Sequence, residues 1–78
     1  MIVRPAAELD IRSAVEWYEA EEPGLGSRFM DELGSTLRRI QAIPLQFPHI
    51  GDGVRRALLR RFPYAVYFLL TGTAMFIQ

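Results

Sequence analysis

Four arginines fall within the seven residues Arg55-Arg56-Ala57-Leu58-Leu59-Arg60-Arg61, and the run leads through Phe62 and Pro63 to Tyr64 and a β-prone apolar segment. A guanidinium is a planar fork of donors matched to carboxylate and phosphate oxygens. With a tyrosine or histidine beside it, such a cluster supplies what phosphodiester cleavage needs without a metal: charge stabilisation and proton transfer. Read as a strand, the run alternates faces, with Arg56, Leu58, Arg60 and Phe62 on one side and Arg55, Ala57, Leu59 and Arg61 on the other. An unpaired guanidinium is too costly to bury. Part of this cationic surface must therefore meet water, an acidic partner or phosphate. The competing structural reading is an edge strand kept soluble by its charge.

Other chemistry is thinly represented. His49 is the single histidine and there is no cysteine, so neither a metal centre nor a cofactor site is expected, and a nucleophilic triad has no partner for Ser13, Ser27 or Ser35. Glu21-Glu22 adjoins a helix break and reads as a solvated pair. Histidine is the residue type that moves protons near neutral pH; His49, between Pro48 and Ile50, is equally explained as a loop residue. Gly24-Leu25-Gly26 before a helix resembles a phosphate cradle, but it lacks the Lys-Ser/Thr ending of a P-loop and a preceding strand, which favours a helix–helix turn. Trp17-Tyr18 could offer a base-stacking platform, yet helical spacing assigns Tyr18 to a core stripe and Trp17 to the hairpin edge.

These residues need elements to position them. Met1 to Arg4 is a short β-prone start. From Ala6 to Glu21, Ala7, Ile11, Ala14, Val15 and Tyr18 recur at helical spacing, with Glu8, Arg12, Glu16 and Glu19 opposite. Pro23 and Gly24 break this helix. A second carries Leu25, Phe29, Leu33, Thr36, Leu37 and Ile40 as one stripe until Pro44 stops it near Ile43. A connection this short predicts an antiparallel helical hairpin. Leu45 to Gly53 reads as a loop with Gly51-Asp52-Gly53 as its turn. Val54 to Arg61 and Tyr64 to Leu70 read as strands, Thr71-Gly72-Thr73 as a tight turn, and Ala74 to Gln78 as a last strand. The order β-α-α-β-β-β predicts an α+β, two-layer fold, in which the hairpin covers one face of a small, mainly antiparallel sheet.

Size and charge narrow the function classes. The 78 residues make one domain, residues 1–78, with no room for a second. Domains of this size bury only about 60% of the surface their unfolded chain exposes, and 50% hydrophobic content leaves apolar surface for a partner. No signal peptide opens the chain and no apolar run approaches the ~20 residues of a membrane helix; with the missing cysteines this predicts a cytoplasmic protein without membrane contact. Net charge is zero but segregated: residues 1–32 hold eight acids against three arginines, residues 33–78 six arginines against Asp52. All nine basic residues are arginine. The apolar strand ending at Gln78 has no polar tail, which suggests an abbreviated or truncated sheet.

Four blocks then fall into a known order. Ala7-x2-Asp10-Ile11-x2-Ala14-x2-Trp17-Tyr18, Pro23-Gly24-Leu25-Gly26-x2-Phe29, Ile40-x3-Pro44-x2-Phe47-Pro48 and Val54-Arg55-Arg56-Ala57-Leu58-x2-Arg61-Phe62-Pro63-Tyr64-x-Val66-Tyr67-Phe68 together resemble the RelE/ParE superfamily of toxin–antitoxin toxins, also called plasmid stabilisation proteins. The resemblance covers essentially the whole chain. It implies a bacterial growth-inhibiting toxin neutralised by a cognate antitoxin, through which alone it would contact DNA. Leu25, Phe29 and Leu33 are the candidate antitoxin contacts, and Arg55, Arg56, Arg60, Arg61 and Tyr64 the candidate target- or RNA-binding residues. RelE-like members cleave messenger RNA on the ribosome and typically carry arginine after the tyrosine that opens the third strand, where this chain has Ala65; lysines common on the preceding strand are absent. The Arg-Arg-Phe-Pro-Tyr run is closer to ParE-like members, which act on DNA gyrase by binding. The expectation is a ParE-like binding toxin; the alternatives are a ribosome-dependent nuclease and an inactive, truncated toxin.

Overall fold

The computed structural model describes residues 1–72 and 74–78. Strand β1 (Ile2–Val3) leads into helix α1 (Pro5–Glu21), with Pro5 in the first turn, where its missing N–H is no loss. Helix α2 (Leu25–Ala42) follows and a 3₁₀ turn (Pro44–Gln46) ends it. Strands β2 (His49–Gly51), β3 (Val54–Leu58), β4 (Ala65–Leu70) and β5 (Met75–Ile77) complete the chain. The sheet order is β1-β5-β4-β3-β2, with β1 parallel to β5 and every other pair antiparallel. The fold is α+β: two helices packed on one face of a mixed five-stranded sheet. No helix among the described residues is long and apolar enough to cross a membrane.

The turn between the helices shows how a short linker holds two long elements. Gly24 takes φ 88°, a left-handed conformation that glycine adopts without a Cβ penalty. Helix α2 has no side-chain cap from its own N-cap residue. Instead the Glu19 carboxylate on α1 accepts hydrogen bonds from the N–H groups of Gly24 and Gly26, both at 3.0 Å. These are the donors a helix start leaves without intrahelical partners. A Cβ on Gly26 would lie 2.9 Å from the Val15 carbonyl oxygen, so this glycine permits the close approach of α1 and α2.

The core lies between the hairpin and the sheet. Phe29, Leu33 and Ile40 of α2 and Ala7 of α1 meet Ala57, Val66, Phe68 and Ile77 of the strands, as the helical stripes require. Ile11, Ala14, Val15 and Tyr18 pack half-buried around them. Trp17 remains 60% exposed, touching Tyr18 edge-on rather than closing over the hairpin.

Two sequence expectations are corrected. The segment from Leu45 to Gly53 is not wholly loop, because His49–Gly51 pairs with β3 through a bulge. Pro48 hid this strand; it stands just outside, and its carbonyl accepts the Arg56 N–H at 3.0 Å. Gly51-Asp52-Gly53 does form the turn, all three at positive φ. The second correction is that β3 ends at Leu58 rather than Arg61. The Leu59 N–H donates to the Tyr64 carbonyl at 3.0 Å, closing a reversal over residues 60–63. Of the turn expected at Thr71-Gly72-Thr73, Thr73 lies outside the described residues; at Thr71, the hydroxyl accepts the Ala74 N–H at 3.0 Å.

Candidate functional site

The reversal after β3 places Arg60 and Arg61 at the mouth of a cleft of about 680 Å³ between the bend and α2. Phe62 anchors it. Its ring packs edge-on against Tyr18 (centroids 4.9 Å apart) and Phe29 (5.3 Å), while Tyr18 and Phe29 stack at 5.1 Å. Aromatic pairs in these arrangements add about 0.5–1.5 kcal/mol each beyond area burial. A carboxylate holds the bend from the other side: Glu32 of α2 accepts the Arg61 N–H at 2.9 Å across 29 positions of sequence. Phe62 therefore lies among the core aromatics, not on the side of Arg56 and Leu58 to which strand alternation assigned it.

Four guanidinium groups line this cleft: Arg28 and Arg39 from α2, and Arg60 and Arg61 from the bend. Arg28 pairs with Glu22 at 2.6 Å on the open surface, a contact of small energetic weight. Arg39 lies 5.7 Å from the centre of the Phe47 ring. Arg60 and Arg61 are exposed, and the sole ion pair among the described residues is Arg28–Glu22. Asp31 and Glu32 share the cleft, as does an apolar wall of Tyr18, Leu25, Phe62 and Pro63. Such a cleft can receive a carboxylate or phosphate beside an apolar side chain.

The remaining candidates lie elsewhere. Arg55 points to the helix side, where its guanidinium donates to the Phe47 carbonyl at 2.8 Å, so it serves the fold. Arg56 points to the opposite face of the sheet, and its Nε is shielded from water without an acceptor. Tyr64 lines a separate cleft of about 430 Å³ with Asp10, Ile11 and Tyr67. Burial raises its phenol above the ordinary value of 10.0, and the Asp10 charge, then Tyr18, add to the rise; it stands as a neutral hydroxyl. His49 sits at the far end of β3, its Nε2 accepting the Gly53 N–H at 3.0 Å. The Arg60-Arg61 pair, Tyr64 and His49 thus occupy distinct sites.

Two of the apolar candidates need correction. Phe29 and Leu33 are 0% and 2% exposed, so no partner touches them without opening the core; of the three, only Leu25 lines a surface cleft. The Gly24-Leu25-Gly26 segment is equally closed to phosphate, since Glu19 already occupies its N–H groups. Sequence reasoning missed Glu32, whose only signal is an acid among α2 residues facing a distant basic bend. No family model, curated protein or solved structure matches this chain.

Proposed function

We propose that this chain is the toxin of a type II toxin–antitoxin pair, of RelE/ParE type and ParE-like in action. In this reading it stops its target, DNA gyrase, by docking in the cytoplasm, and a cognate antitoxin neutralises it. The observation that carries the reading is the Arg60-Arg61 bend: two exposed guanidinium groups without a carboxylate partner, held by Phe62 and Glu32. A bend fixed from two sides presents charge with little ordering cost on binding. The four sequence blocks support the choice of family, and Ala65 together with the dispersal of Tyr64, His49 and the arginines favours docking over RNA cleavage.

The experiment is expression of the chain alone in bacteria, with the purified protein added to a gyrase supercoiling reaction. Growth arrest and inhibited supercoiling are expected, both abolished by Arg60→Glu/Arg61→Glu in a protein whose circular dichroism is unchanged. Messages cut within codons while gyrase stays active would replace this reading with the nuclease. Normal growth in the presence of folded protein would overturn both.

A further inference from the structure

Charge is divided in space as well as along the chain. Helix α1 carries Glu8, Asp10, Glu16, Glu19 and Glu21 against Arg12 alone, all of them exposed. The cleft between α2 and the bend carries four guanidinium groups against Asp31 and Glu32. Arg28–Glu22 is the sole ion pair among the described residues, so neither surface neutralises the other within one molecule. Yet the whole chain has zero net charge. Copies of such a molecule have no net repulsion to overcome and an oriented attraction to gain. On α1, Asp10, Trp17 and Glu21 follow i, i+7, i+11 spacing and share one flank. Trp17 is 60% exposed there. Its neighbour Tyr18 turns about 100° around the helix to meet Phe29 and Phe62, and Trp17 does not line the cleft of its own molecule.

We propose that this protein associates with itself head to tail, the Asp10-Trp17-Glu21 flank of one copy docking in the Arg60-Arg61 cleft of the next. One guanidinium stacks on the indole, the other receives Glu21, and the apolar wall of Leu25, Phe62 and Pro63 covers the ring edge. Three features select a second copy as the occupant. Tryptophan is the best aromatic platform for an arginine, and the two residue types dominate the centres of interfaces. The carboxylate of the flank suits a fork of donors that has no acid of its own. Asp31 and Glu32 set two negative charges among the guanidinium groups, which disfavours a run of phosphates and leaves room for a mixed acidic and apolar surface. A two-fold pairing of like surfaces would set arginine against arginine; flank against cleft instead leaves one free surface of each kind, so addition continues. The contact fills the cleft proposed for target docking, but it requires nothing of that function.

The test is analytical ultracentrifugation of the whole chain. In about 0.01 M salt the average mass should exceed the 8.9 kDa monomer and rise with concentration. In about 0.5 M salt it should fall toward the monomer, because screening shortens the reach of the charges. Trp17→Ala and Arg60→Gln/Arg61→Gln should each weaken association about tenfold or more. Arg60→Glu/Arg61→Glu and Trp17→Ala/Glu21→Arg, all at exposed positions, should each be monomeric with unchanged circular dichroism. Mixed together, they should form a one-to-one dimer and nothing larger, since each keeps the surface the other lacks. A wild type that stays monomeric at about 1 mM would overturn the proposal. So would association indifferent to salt, mixed variants that remain apart, or a dimer dispersed by Leu58→Asp and not by Trp17→Ala. Growth and supercoiling do not enter these readings, so a failure of target docking leaves the test intact.

Discussion

The two faces of the β3–β4 pair are made of alternate residues from the same strands, yet they have opposite fates. On the helix side, Ala57, Val66 and Phe68 are buried, and the one cation there, Arg55, is held by a main-chain carbonyl. On the open side, Leu58 and Tyr67 remain in water and Arg56 has an Nε without a partner. Closure thus supplies partners for polar groups as well as cover for apolar ones. The open face lacks both, and the two deficits coincide at Arg56.

The comparison is sharpest in stability. Phe68→Ala or Phe29→Ala should destabilise the domain by about 3–5 kcal/mol in urea unfolding, the cost of a large core cavity. Leu58→Ala, one residue from buried Ala57, should cost less than about 1 kcal/mol. Equal losses would mean that the open face is covered in solution. Next in size is Gly26→Ala, expected to cost about 1–3 kcal/mol because the new methyl meets the Val15 carbonyl and the Glu19 side chain. Glu19→Ala should cost about 1–2 kcal/mol through two uncapped N–H groups, read as faster amide exchange at Gly24 and Gly26.

Smaller effects separate the bend from the core. Glu32→Ala removes the acceptor for the Arg61 N–H and should cost about 1 kcal/mol of stability. It should also raise amide exchange at Arg61 and weaken growth arrest; an unchanged exchange rate would show that Phe62 alone holds the bend. Tyr64 gives the mildest change. Because its phenol titrates higher folded than unfolded, the folded state retains the proton more strongly. Its contribution is whole below pH 10 and is lost as pH rises through the folded value. Thermal melts of wild type should therefore fall relative to those of Tyr64→Phe as pH rises above 10, with a constant offset between the two below it.

Much of the architecture was legible locally. The stripes Ala7-Ile11-Ala14-Tyr18 and Phe29-Leu33-Ile40 betray two helices through their spacing, and Pro23, Pro44 and Gly51-Asp52-Gly53 mark where regular structure must stop. Less of the site was legible. The alternation of β3 assigned Arg55 and Arg56 to opposite faces, but it carried that pattern past Leu58, where the chain had already turned. His49–Gly51 was hidden because a three-residue strand next to a proline has no periodicity to read.

Spacing and residue type, acting over a turn or two of chain, determined the helices, the covering of one sheet face and the concentration of arginine beside it. Tertiary structure alone decided which arginines are free. Phe62 reaches Tyr18 and Phe29, and Glu32 reaches the Arg61 N–H, through contacts between residues far apart in the chain. Those contacts end the strand and direct two guanidinium groups to the cleft, apart from the pair that strand alternation had already divided between the two faces. No local pattern encodes that division, because it depends on which distant groups satisfy each donor.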